Sequence, residues 1–150
     1  MKGKKNRQLY VAALMLLSAM FTACEIESSD NGRIDGFWHL ERVDTLATGG
    51  SCDLSGKLLF WSVQMRILNL SDKNYVEKSV NMSFRHSADS LRVFAPLLDD
   101  RMNGDPAVDD PELLAPYGIN ALDESFCVER LTGSRMVLKS EALRLTLKRF

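Results

Sequence analysis

The nine residues FWSVQMRIL, numbers 60–68, carry the pattern on which the fold depends. Apolar side chains occupy every second position, at Trp61, Val63, Met65 and Ile67. Ser, Gln and Arg fill the positions between them. Because successive side chains of a β-strand point to opposite faces, this alternation predicts one strand with an apolar face and a polar face.

The same period of two returns along the chain, and helical periodicity is almost absent. It is clearest in VNMSFRH (80–86) and ALRLTLKRF (142–150), and GFWHLERV, SLRVF, SFCVERL and RMVLK also have the pattern of strands. Turn-forming residues separate these stretches at 49–50, 55–56, 71–74, 87–89 and 132–134. Short strands with one polar face predict an all-β, antiparallel barrel or sandwich, since only one face of each strand meets a core.

The segment Ala95–Tyr117 breaks this pattern. It contains all four prolines of the chain together with a cluster of acidic residues, Asp99, Asp100, Asp105, Asp109, Asp110 and Glu112. Proline donates no hydrogen bond to a ladder, so we expect the segment to lie outside the sheet and partly cover one end of the barrel. Within it, DPELL predicts one helical turn, with Asp110 as N-cap and Pro111 at the first position.

The N-terminal residues predict a signal peptide of the lipoprotein type over residues 1–23. Four basic residues precede an apolar run from Leu9 to Ala23, which is shorter than the roughly 20 residues that span a bilayer. An ordinary cleavage site before Cys24 would put Phe21 where a small residue is needed. Phe21-Thr22-Ala23-Cys24 instead resembles a bacterial lipobox. The resemblance implies that Cys24 becomes the mature N-terminus and carries a diacylglyceryl group, which is enough for stable anchoring.

Residues 24–33 predict a flexible acidic tether that precedes a single domain at 34–150. Glu25, Glu27 and Asp30 occur there together with Ser28, Ser29, Asn31 and Gly32. One interpretation is a hydrated spacer. The other is a surface-export signal, because acidic residues after the lipidated cysteine resemble that signal in Bacteroidota lipoproteins. We therefore expect a lipid-anchored protein of the cell envelope, in the outer membrane, and leave open whether it faces the periplasm or the cell surface.

Charge and cysteine content restrict the partners. Removal of residues 1–23 takes away four of the 19 Lys+Arg and none of the 20 Asp+Glu, which leaves a net charge of −5. This balance argues against nucleic acid and against an anionic membrane face as partners. Cys52 and Cys127 remain in an oxidising compartment, where a disulfide is allowed, but the sequence leaves their pairing open. Neither belongs to a CxxC motif, so no zinc site is expected.

A family resemblance comes from Gly36-Phe37-Trp38, a G-x-W at the first strand, and from a meander that closes on LTLKRF. These features resemble the lipocalin superfamily, and more closely the lipocalin-like domains of unknown function in Bacteroidales lipoproteins. The stretches that carry the resemblance are GFWHL, LLFWSVQMRI, PYGI and FCVERLTGSRMVLKSEALRLTLKRF. The resemblance implies an up-and-down barrel of about eight strands without an assigned ligand. It also implies that Arg149 packs across Trp38 and plugs one end.

A barrel of this size holds either packed side chains or one small ligand. The candidate lining of a cavity for an apolar or amphipathic ligand is Trp38, Trp61, Val63, Met65, Met82 and Phe84. If the interior is filled instead, the protein is expected to be a structural or accessory protein that binds an envelope partner. His39 and His86 lack the spacing of metal ligands or of a catalytic triad. We therefore expect no enzyme activity, metal or cofactor.

Overall fold

The computed structural model describes residues 29–150, where nine antiparallel strands form one sheet. Their bounds are β1 Gly36–Thr45, β2 Ser51–Asp53, β3 Leu59–Gln64, β4 Ile67–Asp72, β5 Val80–His86, β6 Ser90–Leu98, β7 Glu124–Leu131, β8 Arg135–Lys139 and β9 Leu143–Arg149. Short 3₁₀ turns lie at Gly32–Ile34, Arg101–Asn103, Pro111–Leu113 and Ala115–Tyr117. No helix in this part of the chain is long and apolar enough to cross a membrane. The predicted signal peptide, Cys24 and the first half of the tether lie outside the described residues.

The sheet closes on itself. Each strand pairs with its neighbours, and β9 pairs back with β1 from Trp38↔Arg149 to Thr45↔Leu143. β2 and β3 both flank the same side of β1, so they occupy one strand position that is interrupted at 54–58. The prediction of an all-β, antiparallel up-and-down barrel of about eight strands is therefore confirmed. Closure removes the free sheet edges that an open sheet would expose.

The two ends of the barrel differ. The end that contains Gly36, Gln64 and Arg149 is called the plugged end, and the end that contains Thr45, Leu59 and Asp72 is called the mouth. The turns β3–β4, β5–β6 and β7–β8 lie at the plugged end. The longer connections at 46–50, 54–58, 73–79 and 99–123 lie at the mouth. Loop length therefore concentrates at the mouth, where binding loops of a rigid scaffold are commonly found.

The stretch FWSVQMRIL forms a tight hairpin, so its prediction as one strand is wrong. β3 ends at Gln64, β4 begins at Ile67, and these two residues pair across a two-residue turn. Met65 opens the turn with φ 55, the positive value that a type II′ turn requires at this position. Met65 is consequently 43% exposed in the turn, and Ile67 is 55% exposed on the outer face.

The barrel interior is filled with apolar side chains. The fully buried members of this core include Trp38, Leu40, Trp61, Leu68, Leu70, Met82, Leu91, Phe126, Met136, Leu138, Leu145 and Leu147. Both indole N–H groups are satisfied by backbone carbonyls. Trp38 Nε1 donates to Ile34 O (2.8 Å), and Trp61 Nε1 donates to Tyr117 O (3.1 Å). Burial of these two large residues therefore leaves no indole donor without a partner.

The proline-rich segment begins later than the sequence predicts. β6 continues through Ala95 and Pro96 to Leu98, with a register irregularity opposite Met82 and a positive φ at Ala95. Val108 N–H then donates to Pro96 O (3.0 Å), which returns the chain along the last residues of β6. Pro96 lacks an N–H to donate to the ladder, and it is tolerated here because the ladder is irregular at this point. Its carbonyl still accepts the hydrogen bond from Val108.

The remainder of this segment lies over the mouth. Leu114 and Tyr117 of the segment, and Ile119 just after it, are fully buried and join the barrel core. The segment therefore covers this end and also contributes to the interior. The predicted turn at DPELL is present as a 3₁₀ turn, in which Asp110 Oδ1 accepts a hydrogen bond from Glu112 N (2.9 Å). The segment is therefore an ordered part of the barrel.

Candidate ligand site at the barrel mouth

The plugged end is closed by Arg149 and Trp38. The two are register partners across β1 and β9, and Arg149 Cζ lies 5.2 Å from the centre of the Trp38 ring. The guanidinium also donates to Asp35 O. Gly36 has φ +139, and a Cβ atom at this position would overlap the Arg149 guanidinium. The G-x-W glycine therefore leaves the space that the arginine occupies, and the structure contains the contact that the resemblance implies.

The six predicted cavity residues do not surround an open space. Trp38, Trp61, Val63 and Met82 are buried members of the continuous core. Phe84 is half-buried and packs against the margin of this core. Met65 lies outside the barrel in the β3–β4 turn, which corrects its predicted inward orientation. The interior at these positions is occupied by side chains.

A pocket of about 430 Å³ lies instead at the mouth. Its apolar lining consists of Val43, Leu54, Leu59, Val76, Ala115 and Pro116. Its polar lining consists of Cys52, Lys57, Asp72, Asn74 and Glu77. Three features of the fold bring these residues together: the interruption between β2 and β3, the loop 73–79 and the 3₁₀ turn Ala115–Tyr117. The volume lies in the range of small-molecule sites.

Asp72 organises one wall of this pocket. Its carboxylate accepts backbone hydrogen bonds from Asn74 (2.8 Å), Val76 (3.0 Å) and Glu77 (3.2 Å). Burial works to raise the pKa of Asp72, but the three backbone donors, helped by the charge of Lys57, outweigh it and hold the pKa below the ordinary carboxyl value. An ionised Asp72 therefore holds the loop 73–77 in place. Its oxygens are committed to the backbone, which leaves it poorly suited to proton transfer.

Tyr117 holds the opposite wall. Its hydroxyl donates to Lys78 O (2.9 Å), and its own carbonyl accepts from the Trp61 indole. Burial raises the pKa of Tyr117 far above the ordinary tyrosine value, helped by the nearby charges of Asp72 and Glu77. The hydroxyl is therefore a neutral donor that fixes the proline-rich segment to the loop 73–79. The pocket walls are joined to each other and to the core.

The comparisons with known proteins agree with this architecture. A family model described as "Lipocalin-like domain" matches residues 19–150. The chain belongs to this family. A crystal structure of a lipocalin-like protein from Bacteroides uniformis superposes with a TM-score of 0.58 at 19% identity, covering 79% of this chain and 100% of that one. An uncharacterized protein from Bacteroides eggerthii gives 0.54 at 16% identity, covering 77% and 98%. None of the curated proteins matches the chain.

Titratable and nucleophilic groups are scattered over this lipocalin-like domain. A ring nitrogen of His39 lies 2.6 Å from Lys57 O, and His86 is half-buried at the plugged end. Desolvation lowers the pKa of His86, against an opposing effect of Asp35. Cys52 and Cys127 are exposed free thiols. Among residues 29–150, no His, Cys, Asp and Glu side chains are grouped closely enough to hold a metal ion.

Sequence patterns did not identify the mouth pocket of this lipocalin-like domain. Leu54 and Val76 lie in segments with turn signals, where apolar residues follow no period. Ala115 and Pro116 belong to the proline-rich segment, which the sequence predicts only as a partial cover over one end of the barrel. The available signal was that Leu54 and Val76 are apolar although they lie beside turn residues. An apolar side chain in a connecting segment needs a surface to pack on, which indicates a contact or a pocket.

Proposed function

We propose that this protein is a lipid-anchored lipoprotein of the cell envelope whose barrel binds a small amphipathic molecule at its mouth. The observation that carries the binding proposal is the pocket of about 430 Å³, with an apolar lining and charged residues at its edge. Lipocalin-like domains supply a rigid barrel, and the mouth loops supply the contacts. The lipid anchor rests on Cys24 and the lipobox-like residues before it.

The filled interior restricts the size of the ligand. Trp61 and Tyr117 are fully buried beneath the mouth, so a long acyl chain has no path down the barrel axis. A compact apolar group fits against Leu54, Leu59 and Ala115, and a polar or charged group faces Lys57 and Glu77. We therefore expect a short amphipathic molecule rather than an extended lipid.

The packed interior also favours a second candidate, an accessory protein that binds a partner chain. Large apolar side chains are exposed around the mouth, namely Leu58, Tyr75, Val76, Leu97 and Met102. Exposed apolar residues in one region are a common feature of protein interaction sites. In this case the mouth loops form the contact surface, and the pocket accepts a side chain of the partner.

Native mass spectrometry distinguishes the two candidates. The protein is extracted from its own membrane and analysed with minimal activation. A retained small molecule supports the ligand proposal, and a retained partner chain supports the accessory protein. Bare protein in every preparation contradicts both.

The anchor has a separate test. Cells that express the wild type or Cys24→Ala are labelled with radioactive palmitate, and the protein is then immunoprecipitated. Label is expected in the wild type alone, because Cys24 carries the acyl chains. Equal labelling of the two proteins would contradict lipidation at Cys24.

A further inference from the structure

We propose that the plugged end of the barrel is a membrane-contact surface, and that the mouth pocket opens away from the bilayer that holds the lipid anchor. This inference rests on the proposed lipidation of Cys24. It adds the orientation of the barrel on the membrane and the compartment from which the ligand comes.

The chain leaves the barrel at a fixed point on the plugged end. Ser29 Oγ accepts a hydrogen bond from Met65 N–H (2.7 Å) and donates to Asp35 Oδ1 (2.7 Å). Asn31 Nδ2 donates to Met65 O (2.7 Å). Ser29 and Asn31 are therefore bound to the β3–β4 turn. Only the residues from Cys24 up to Ser29 can then separate the barrel from the lipid.

Covalent geometry limits the distance from this point to the lipid. Five residue steps separate Cys24 from Ser29, which span at most about 18 Å in a fully extended chain. The ten-residue strand β1 advances about 30 Å along its own direction, or about 23 Å along the barrel axis at a tilt of about 40°. A lipid on Cys24 therefore reaches the plugged end easily, but it does not reach the rim of the mouth.

The plugged end has the chemistry of a bilayer contact. Met65 and Ile67 are exposed there in the β3–β4 hairpin. Phe150 follows β9 and is 83% exposed, and one edge of its ring packs against Phe37 and Phe60 on the outer side of β1 and β3. Exposed arginines accompany them at positions 33, 66 and 85. Apolar side chains that enter the interface, with cations near lipid phosphates, are the combination that holds peripheral proteins on membranes.

Charge is distributed unequally between the two ends. Arg33, Arg66 and Arg85 form no ion pair with any residue of 29–150, and the exposed acids near them are Asp30 and Asp89. The mouth carries the acidic cluster of residues 99–112. The tether between Cys24 and Ser29 adds Glu25 and Glu27 on the side of the anchor, and the free arginines partly offset these acids. An anionic lipid surface therefore repels the mouth more strongly than the plugged end.

This orientation determines the source of the ligand. With the plugged end on the bilayer, the mouth pocket lies roughly a barrel length, about 23 Å, from the lipid headgroups. The pocket then receives molecules from the aqueous compartment and does not extract them from the anchoring membrane.

Hydrogen exchange on membrane-bound protein tests the orientation. The lipoprotein is purified from its own membrane and reconstituted into phosphatidylethanolamine–phosphatidylglycerol vesicles, and its exchange is compared with that of the same protein in mild detergent. We expect slower exchange at residues 64–68 and 146–150 on vesicles, and no change at 46–58 or 73–79. Protection at the mouth, protection along one side of the barrel, or no difference anywhere would each overturn the proposal.

A second experiment tests the orientation of the barrel independently of whether the cell lipidates Cys24. Mature chain that begins at Cys24, with Cys52→Ser and Cys127→Ser, is coupled through Cys24 to a maleimide lipid in the same vesicles. The same protection is expected, even if palmitate labelling shows that the cell does not lipidate Cys24. Arg66→Glu is expected to lose much of the protection at 64–68, whereas the matched mouth variant Arg101→Glu, in the exposed 3₁₀ turn Arg101–Asn103, keeps it. Equal protection in both variants would contradict a cationic contact.

Discussion

The guanidinium of Arg149 lies over the indole of Trp38, with Arg149 Cζ 5.2 Å from the ring centre. The two residues belong to the first and last strands and are direct register partners. Their contact therefore forms only when the sheet closes. Because Arg149 also donates to Asp35 O, it connects the closing strand to the segment that precedes β1.

Removal of this contact should reveal an energetic coupling. We expect Arg149→Ala and Trp38→Phe each to lower the free energy of unfolding, and their double variant to lose less than the sum. The difference should be about 0.5–2 kcal/mol, the size of a cation–π contact that is partly shielded from water. Urea unfolding of the four proteins measures it. The control is Trp38→Phe combined with Arg130→Ala, at an exposed arginine, and in this pair the losses of unfolding free energy should add. Additive losses in both pairs would mean that Arg149 and Trp38 are not coupled.

Gly36 should not tolerate a side chain. At φ +139 an alanine is strained, and its Cβ would overlap the Arg149 guanidinium, so Gly36→Ala should cost about 1–3 kcal/mol. In an Arg149→Ala background the overlap disappears while the backbone strain remains, and the cost should fall without vanishing. Gly56→Ala is the matched control, because open space surrounds Gly56. An equal cost for Gly36→Ala in both backgrounds would contradict the contact with Arg149.

The sequence predicted those parts of the fold that depend on local periodicity. Alternation identified the strands, and the contact between Arg149 and Trp38 was implied by the family resemblance. It failed at Met65, because this tight turn contains no glycine, asparagine or aspartate and the apolar alternation runs straight through it. A positive φ at Met65 is stabilised by tertiary contacts, including the bonds to Ser29 and Asn31, which no local pattern reveals.

The mouth pocket could not be predicted from local sequence patterns, for a related reason. The period of two identified which side chains point inward, but not whether they leave space between them. Trp61 and Tyr117 fill the axis, and Tyr117 comes from a segment that is 56 residues away in sequence. The pocket depends on how three loops pack at the mouth, which is a property of the assembled barrel.

Asp72 should make the free energy of unfolding depend on pH in the acidic range. Its pKa is lower in the folded protein than in the unfolded chain, so the carboxylate stabilises the fold above the ordinary carboxyl pKa of about 3.9. This contribution is lost as the pH falls through the lowered folded pKa. We expect Asp72→Asn to cost about 1–3 kcal/mol at pH 7, since buried backbone donors lose a charged acceptor. The cost should shrink below pH 4 in urea unfolding.

The control for this prediction is Asp89→Asn. Asp89 is exposed in the β5–β6 turn, where its carboxylate accepts a hydrogen bond from the Ser87 hydroxyl. It should change stability little at either pH. A cost of Asp72→Asn that stays constant between pH 7 and pH 3 would show that the charge of Asp72 does not stabilise the loop.

The proline-rich segment should divide into two parts in hydrogen exchange. Tyr117 and Ile119 are fully buried and their amides bond to Leu114 O, so they should exchange slowly, with the core strands. Asn103 and Gly104 lie in an exposed 3₁₀ turn and should exchange quickly. Amide-resolved exchange measured by NMR checks both. A uniform rate across 99–119 would contradict the division into a buried part and an exposed part.

Filling the mouth pocket should abolish binding of small amphipathic molecules. Ala115 lines the pocket and its side chain is exposed to it, so Ala115→Trp should occupy much of the space between Leu54 and Val76. Binding of an anilinonaphthalene sulfonate probe, followed by fluorescence, should weaken at least about tenfold, a loss of about 1.4 kcal/mol.

Lys57→Ala should also weaken binding of the probe, because the probe is anionic. Ala88→Trp, in the exposed β5–β6 turn at the plugged end, should leave affinity unchanged. Equal unfolding midpoints would show that all variants are folded, and unchanged affinity in Ala115→Trp would then exclude the mouth as the binding site.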